Sequence, residues 1–370
     1  MSETQHLATI RREIDEIDRE LIGLLNRRAQ ASVEVARIKR GGDVATYVPS
    51  REQEVFDNVL QANAGPLTEA HVRAIWGEIL SASRALQRPL RIAYLGPEGT
   101  FTQRAAETAA KLRFGSFVEY LPCRTIPDVF DVTEREQADY GVVPVENSTE
   151  GSVGQTLDLF MDTSLKICSE ILLPITQHLI GRGSISAIRR VYSKDQALAQ
   201  CRNWLAANLP DAELVETSST TVAAQRAAAE EGAASIGPEE AAAEYGLQVL
   251  ARAIQDKAHN TTRFLLIGQT IGQPSGRDKT SILFSVRDRV GALHDVLAVF
   301  ARRGINLTRI ESRPSRRQPW EYVFFVDFGG HPEEPNAAAA LEQMREACTS
   351  VKVLGAFPVE QRVERQPPVA

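Results

Sequence analysis

Cysteine is scarce in this chain of 370 residues, and what there is does not cluster. Cys123, Cys168, Cys201 and Cys348 lie far apart and form no Cys-x-x-Cys pair. That argues against a disulfide framework or a structural zinc site and fits free thiols in a reducing cytosol. No apolar run approaches the ~20 residues that a membrane-spanning helix needs. The opening Met1-Ser2-Glu3-Thr4-Gln5-His6 lacks the basic-then-apolar pattern of a secretory signal. No membrane partner is therefore expected, and a cytoplasmic location is. Long basic runs are missing too, and the net charge is −6, which argues against nucleic acid as the main partner. What remains is 43% hydrophobic and 24% charged, the balance of ordinary globular protein. At ~100–200 residues per domain the length allows two or three domains.

Three styles of sequence follow one another. Residues 1–88 read as helix. Leu7, Ile10, Ile14, Ile17, Leu21 and Leu24 recur at alternating steps of three and four, a heptad seam. The pattern resumes at Ala31, Val35 and Ile38 and stops at Gly41-Gly42. A helix from about 6 to 40 is roughly 50 Å long at 1.5 Å per residue. That is longer than a small domain can cover, so pairing with a second copy of the chain is expected. Ser50-x-x-Gln53 resembles a capping box opening a second helix, which Asn63-Ala64-Gly65-Pro66 ends. Thr68 can cap a third helix running to about Gln87, and Pro89 marks a boundary.

From 91 to 270 short strand-like runs alternate with helices, among them Ile92–Leu95, Tyr140–Val145, His178–Gly181 and Phe264–Ile267. This alternation predicts α/β structure with mainly parallel sheets, in two lobes. In such sheets ligands sit in loops beyond strand C-termini. Gly272-Gln273-Pro274-Ser275-Gly276 reads as a linker. Residues 278–358 then follow a βαββαβ order, which is α+β and ferredoxin-like. Residues 359–370 read as a tail.

On the N-terminal seam Arg28 stands where an apolar residue is due. A buried arginine costs several kcal/mol unless an anion meets it. Lys39 follows 11 residues later, about three helical turns, and shares its face. Arg11 lies on another face and can join them only from a second chain. Spacing alone also allows a solvated, salt-bridged face. Leu7 to Arg40, with Arg11, Arg28 and Lys39, then Arg51-Glu52 and the Ser83/Gln87 pair, resembles the all-helical chorismate mutases over about 80 residues. The resemblance implies that Arg11 (from the partner chain), Arg28 and Arg51 bind the carboxylates of chorismate. It also implies that Lys39 and Gln87 meet the ether oxygen, and that Glu52 and Ser83 make the remaining polar contacts. Val48 departs from the pattern, because some relatives carry an aspartate there.

In the middle region Gly96-Pro97-Glu98-Gly99-Thr100-Phe101-Thr102 and Pro144-Val145-Glu146-Asn147-Ser148-Thr149-Glu150-Gly151 each follow a strand. The first suits an anion but is neither Gly-x-Gly-x-x-Gly nor a phosphate loop, so nucleotide binding is rejected. A third stretch, Asn260-Thr261-Thr262-Arg263-Phe264, enters the last strand. Each taken singly is equally a helix cap or a strand-edge pair. Together they resemble prephenate dehydratase over nearly all of 91–270. The resemblance implies two lobes like those of periplasmic binding proteins, the second running from about 168 to 250, with prephenate in the cleft. It implies Thr262 as the hydrogen-bond donor to the leaving hydroxyl, with Thr100, Asn147, Ser148 and Arg263 as substrate contacts, although Arg263 can equally be structural. Glu146 is a general acid if burial raises its pKa, or a cap. His178 falls in a strand and reads as a core histidine, whereas His259 stands closer to the signature.

In the third region Gly291-Ala292-Leu293-His294 lies at a strand-to-helix turn, and Glu311-Ser312-Arg313-Pro314 ends the next strand. Both resemble the amino-acid-binding motifs of ACT domains fused to dehydratases, with Trp320 as an aromatic near the pocket. A plain pairing domain is the alternative. The resemblance implies phenylalanine bound by Gly291, Ala292, Leu293, Glu311, Ser312, Arg313 and Trp320. Taken in order, the three regions resemble the bifunctional chorismate mutase/prephenate dehydratases. This implies chorismate and prephenate as substrates, no cofactor, no metal, feedback by phenylalanine, and a homodimer or higher homo-oligomer.

Overall fold

The structure, a computed structural model, describes residues 3–39, 49–257, 260–316 and 321–359. Gly41-Gly42, Val48, His259, Trp320 and the tail from 360 onward lie outside the described residues, as do the side chains of Lys39 and Ser50. The chain forms two compact units, Met1–Arg91 with Ala110–Glu119, and Ile92–Ala109 with Tyr120–Ala370.

The first unit is built on three helices, α1 (Glu3–Lys39), α2 (Pro49–Ala62) and α3 (Glu69–Ala85). Thr68 caps α3 as its sequence suggests, accepting the His71 backbone N–H, while the His71 ring accepts the Thr68 N–H. The seam of α1 is uncovered within the unit: Leu7, Ile10, Ile14, Ile17, Leu21 and Leu24 are 40–56% exposed.

The two-lobed region opens with a lobe made from β1 (Leu90–Leu95), α4 (Phe101–Arg113), β2 (Val118–Cys123), α5 (Ile126–Glu134), β3 (Tyr140–Asn147), the short β4 (Gly151–Ser152), α6 (Gly154–Asp162) and β5 (Lys166–Pro174), of which the start of β1, the end of α4 and the start of β2 count with the first unit. The chain then crosses to a second lobe of β6 (His178–Gly181), β7 (Arg190–Ser193), α7 (Asp195–Gln200), α8 (Arg202–Asn208), β8 (Glu213–Glu216), α9 (Thr220–Ala229), β9 (Ala233–Gly237), α10 (Glu239–Glu244) and β10 (Gln248–Ala251). Its sheet order is β10-β6-β9-β7-β8. The strand β11 (Thr261–Gly268) returns to the first lobe and lies between β3 and β5. Because β5 belongs to the first sheet, the crossing falls near 175, later than the 168 read from sequence. The sheets are also mixed rather than mainly parallel. β1 runs parallel to β3, and β7 to β8 and β9, but β11 is antiparallel to both neighbours and β6 is antiparallel to β9 and β10. The physical reason is connectivity, since strands that carry the chain between lobes enter each sheet from the opposite end.

The third region follows as β12 (Asp278–Ser285), α11 (Ala292–Arg302), β13 (Leu307–Pro314), β14 (Tyr322–Gly329), α12 (Pro335–Ala347) and β15 (Ser350–Pro358). Its strands, in the order β13-β14-β12-β15, continue the first-lobe sheet through β15 beside β5. Alternation along each strand decides what covers each face. Ile282, Phe284, Val326 and Phe328 pack under α11 and α12. Leu283, Phe325, Leu354 and Phe357 share one core with Val145, Leu157, Phe160, Ile167 and Leu265 of the first lobe. At roughly 1.5–3 kcal/mol per buried large side chain, that shared core fixes the third region's sheet against the back of β3, β5 and β11.

Candidate active sites

In the helical unit three helices bring Arg28, Glu52 and Ser83 together. Arg28 Nη1 donates to Ser83 Oγ at 2.5 Å, and Ser83 donates in turn to the Ile79 carbonyl at 2.7 Å. Burial lowers the Arg28 pKa, and the nearby Glu52 carboxylate opposes that shift. Glu52 is itself paired with Arg84, a buried residue that sequence reasoning passed over, whose other arm donates to the Phe114 carbonyl. Arg51 is largely exposed and paired with Glu54 at 2.6 Å. Gln87 lies past the end of α3 rather than on it, its N–H donating to the Arg84 carbonyl at 2.8 Å. Arg11 sits on the exposed N-terminal part of α1, about 25 Å from Arg28 along the helix axis.

In the two-lobed region Thr262 of β11 and Asn147 of β3 are register partners. Asn147 Nδ2 donates to Thr262 Oγ1 and to Asn260 Oδ1, each at 2.8 Å. The Asn147 carbonyl oxygen accepts the N–H groups of Thr149 and Glu150 at 2.9 and 3.2 Å, which folds the following turn and orients the amide. Ser148 locks this turn to β11, its N–H donating to the Thr261 carbonyl at 2.9 Å and its hydroxyl accepting the Thr261 N–H at 3.0 Å. Residues of the second lobe reach the same place. Asn260 donates to Gln200 at 3.2 Å, Gln200 donates to Glu150 at 3.0 Å, and Thr221 donates to the Glu98 carbonyl at 2.8 Å. Thr100 serves the start of α4, its hydroxyl lying 3.4 Å from both the Leu95 carbonyl and the Gln103 N–H.

Arg263 corrects an expectation. Successive strand residues point to opposite faces, so Arg263 looks away from Thr262 and is not a cleft residue. Its guanidinium is buried against Glu170 at 2.8 Å and Asp327 at 2.6 Å, and Lys279 reaches Glu170 at 2.6 Å. Burial pulls the Arg263 pKa down, but Asp327 and Glu170 outweigh it and the net shift is upward. Glu146 is also one residue off the cleft face. It meets Arg309 at 3.1 Å. Asp327 and Glu170 lie far from any motif in sequence, and Arg309, two residues before the Glu311 motif, carries no pattern of its own.

In the third region Gly291 begins α11 with φ +79°, a left-handed conformation that glycine adopts without strain. Ala292 is buried and Leu293 packs on the helical core. β13 alternates strictly. Ser312 is exposed, whereas Glu311 and Arg313 turn inward against the first lobe. Glu311 accepts the Ser152 hydroxyl at 2.9 Å, and Arg313 Nη2 holds Asp158 at 2.8 and 3.0 Å. Those two motif residues are therefore engaged by the dehydratase-like lobe. A cavity of about 670 Å³ opens here, lined by Glu134, Asp158, Asp162, Arg313 and Arg316. Its lining includes neither Thr262 nor Asn147, and Asp158 already answers both arginines, so the chemistry is not assigned to it.

Three family models match the chain: chorismate mutase type II over residues 10–88, prephenate dehydratase over 92–271 and the ACT domain over 280–346. The bifunctional chorismate mutase/prephenate dehydratase of Aquifex aeolicus is 46% identical over 359 residues, covering 96% of this chain and 98% of that protein. The protein of the same name from Pseudomonas aeruginosa is 43% identical over 365 residues, covering 97% and 99%. Among solved structures, the prephenate dehydratase of Arthrobacter aurescens in complex with L-Phe is 35% identical with a TM-score of 0.67, covering 76% of this chain and 92% of that one.

Proposed function

The chain belongs to the bifunctional chorismate mutase/prephenate dehydratase family, and from that premise we propose how its residues divide the work. The helical unit rearranges chorismate to prephenate, the two-lobed region converts prephenate to phenylpyruvate, and the third region senses phenylalanine. The rearrangement breaks one C–O bond as a C–C bond forms, and no group enters or leaves. It needs the dianion held in its reactive conformer and positive charge at the breaking ether. Arg28, partly withdrawn from water and aligned on Ser83, suits a substrate carboxylate. Arg51 and a second copy's Arg11 complete the carboxylate clamp. Lys39 and Gln87 meet the ether oxygen, and Glu52 supplies a polar contact.

In the second reaction the bond between ring and carboxylate breaks and its electron pair enters the ring. Hydroxide leaves from the far ring carbon and takes a proton. The products are CO₂, water and an aromatic ring. One observation carries the assignment: the Thr262 oxygen accepts the Asn147 amide at 2.8 Å, which leaves its own hydrogen free to be donated. A threonine hydroxyl is too weak an acid to surrender that proton. It acts as a positioned hydrogen-bond donor to the leaving hydroxyl, strengthened by the bond it accepts. Asn147, Ser148 and Thr100 supply the other polar contacts. The turn at Gly291-Ala292-Leu293, the outward Ser312 and Trp320 receive phenylalanine, a reading supported by the L-Phe complex of the Arthrobacter protein. Binding there shifts an equilibrium towards a less active dehydratase. The four free thiols support a cytoplasmic setting.

The test is phenylpyruvate formation from chorismate as sole substrate and from prephenate in parallel, each with and without phenylalanine. Both substrates should yield product, and phenylalanine should suppress it. Thr262→Val should lower prephenate turnover by about 10²–10⁴-fold while leaving chorismate consumption intact. Product from prephenate but not chorismate removes the mutase assignment, product from neither removes the dehydratase assignment, and chorismate consumption then decides the mutase.

A further inference from the structure

We propose that Arg309 and Asp327 of the third region are positioning residues for the dehydratase site, holding the Asn147–Thr262 pair from behind. The inference deepens the reading above and rests on it. It comes from two registers that face each other. On the dehydratase side, Thr262 pairs with Asn147 and the next rung pairs Arg263 with Glu146. On the regulatory side, Arg309 of β13 pairs with Asp327 of β14. The second rung and the regulatory rung meet with opposite charges matched, Arg263 to Asp327 at 2.6 Å and Arg309 to Glu146 at 3.1 Å. Each strand of the catalytic pair is thus tied, one residue from its working side chain, to a different strand of the regulatory sheet.

The Arg263–Asp327 tie is enclosed, and the Arg309–Glu146 tie is enclosed at its arginine end. The side chains of Arg263, Asp327 and Arg309 are 11%, 6% and 11% exposed, so water competes poorly for them. Arg309 also donates to Ser152 at 3.0 Å, just after the turn that Asn147 folds. A strand cannot move one residue's backbone without carrying the next, so the lateral position of Thr262 against Asn147 is set partly by where Asp327 and Arg309 stand. The outer face of β13 presents Ser312, in the motif assigned to the effector, and its inner face presents Arg309. One strand therefore joins the two functions.

Each single substitution leaves the surviving partner another answer. Arg263 keeps Glu170 when Asp327 loses its charge, and Glu146 is 39% exposed, within reach of water, when Arg309 is lost. In the full chain, Arg309→Gln and Asp327→Asn should each lower kcat for prephenate by about 10- to 100-fold, with KM moving less than about 3-fold. Glu146→Gln combined with Arg309→Gln should cost much less than the product of the two single effects. Melting curves and chorismate consumption by the helical unit report that the variants are folded. Wild-type kcat in the folded variants overturns the proposal, as does a loss confined to KM. If Arg309→Gln does not fold, Arg309→Lys decides: a reduced kcat at normal KM supports positioning, and a wild-type kcat overturns it. Wild-type chain is assayed alongside, since its failure to consume prephenate overturns the dehydratase reading itself, whereas active wild type with wild-type-like variants overturns only the coupling.

Discussion

His178 begins β6 almost wholly enclosed, 8% exposed, with the Ala253 N–H donating to its Nδ1 at 3.4 Å. Burial lowers its pKa. Glu239 and Glu240 oppose that shift, while Arg252 and Arg104 assist it. An imidazole whose folded pKa lies below the ordinary value of about 6.5 is neutral in the folded chain over a range where the unfolded chain binds a proton. Its contribution to stability is complete above about pH 6.5 and declines as pH falls through the window down to the lowered folded value. His178→Asn should therefore flatten the acid-side fall of the second lobe's melting temperature. An unchanged slope between about pH 6.5 and 5 would show that other groups set it. At this scale much was legible from sequence alone. Thr262, Asn147 and Ser148 do meet, and Arg28 does find Ser83 and Glu52, because short motifs on strand ends and helix faces carry their own geometry. Arg263, left open between substrate contact and structural residue, takes the structural side because it lies on the face opposite its neighbour in sequence. Arg309 and Asp327 were missed because a tertiary ion pair leaves no trace in local spacing.

The element that most constrains the second unit is the seam between β15 and β5. Its single register pair is Gly355 with Ile167. A methyl group at Gly355 would overlap the Ile167 backbone, its carbonyl oxygen, nitrogen and carbon alike. Backbone cannot rotate aside as a side chain can, so Gly355→Ala forces the two strands apart. Overpacking of this kind costs about 1–3 kcal/mol, occasionally more, and a lower melting temperature for the dehydratase–ACT transition is expected. Gly272→Ala is the matched control, since its new methyl would meet only the Ala356 carbonyl oxygen at an ordinary 3.7 Å. It should be neutral or slightly stabilising. Equal melting temperatures for the two variants would mean that the seam is looser than its backbone contact implies. The βαββαβ order of this region was readable from periodicity and turn residues. The seam was not, because Val353-Leu354-Gly355-Ala356-Phe357 reads as any buried strand and nothing in it names a partner from another domain. The mixed direction of the lobe sheets escaped for a related reason: periodicity reports that a run is a strand, not which end of the sheet it enters.

At the scale of the whole molecule, the exposed seam of α1 asks for a second copy. Six large aliphatic side chains, each 40–56% exposed, line it. Covering the exposed parts of twelve such side chains in a symmetric pair is worth roughly 10–20 kcal/mol, against an association cost of about 4–15 kcal/mol. Pairing is thus expected over most of that range, and a helix about 55 Å long has an N-terminal half free to meet a partner's cluster. Arg11 cannot reach Arg28 within one chain, since about 25 Å of rigid helix separates them, so the proposed shared site requires pairing about a two-fold axis that crosses α1 and supplies a second copy's Arg11. Arg11→Ala and Arg28→Ala chains should each be poor mutases alone. In a mixed dimer one site has lost both arginines and the other has kept both. Random exchange therefore restores about one quarter of the wild-type sites, read as chorismate consumption after co-refolding or co-expression. Dehydratase turnover, which uses neither residue, serves as the internal measure of folded protein in the mixture. Full dehydratase activity with no mutase recovery, in dimers verified as mixed, would overturn the shared site and leave the seam as a dimer contact alone.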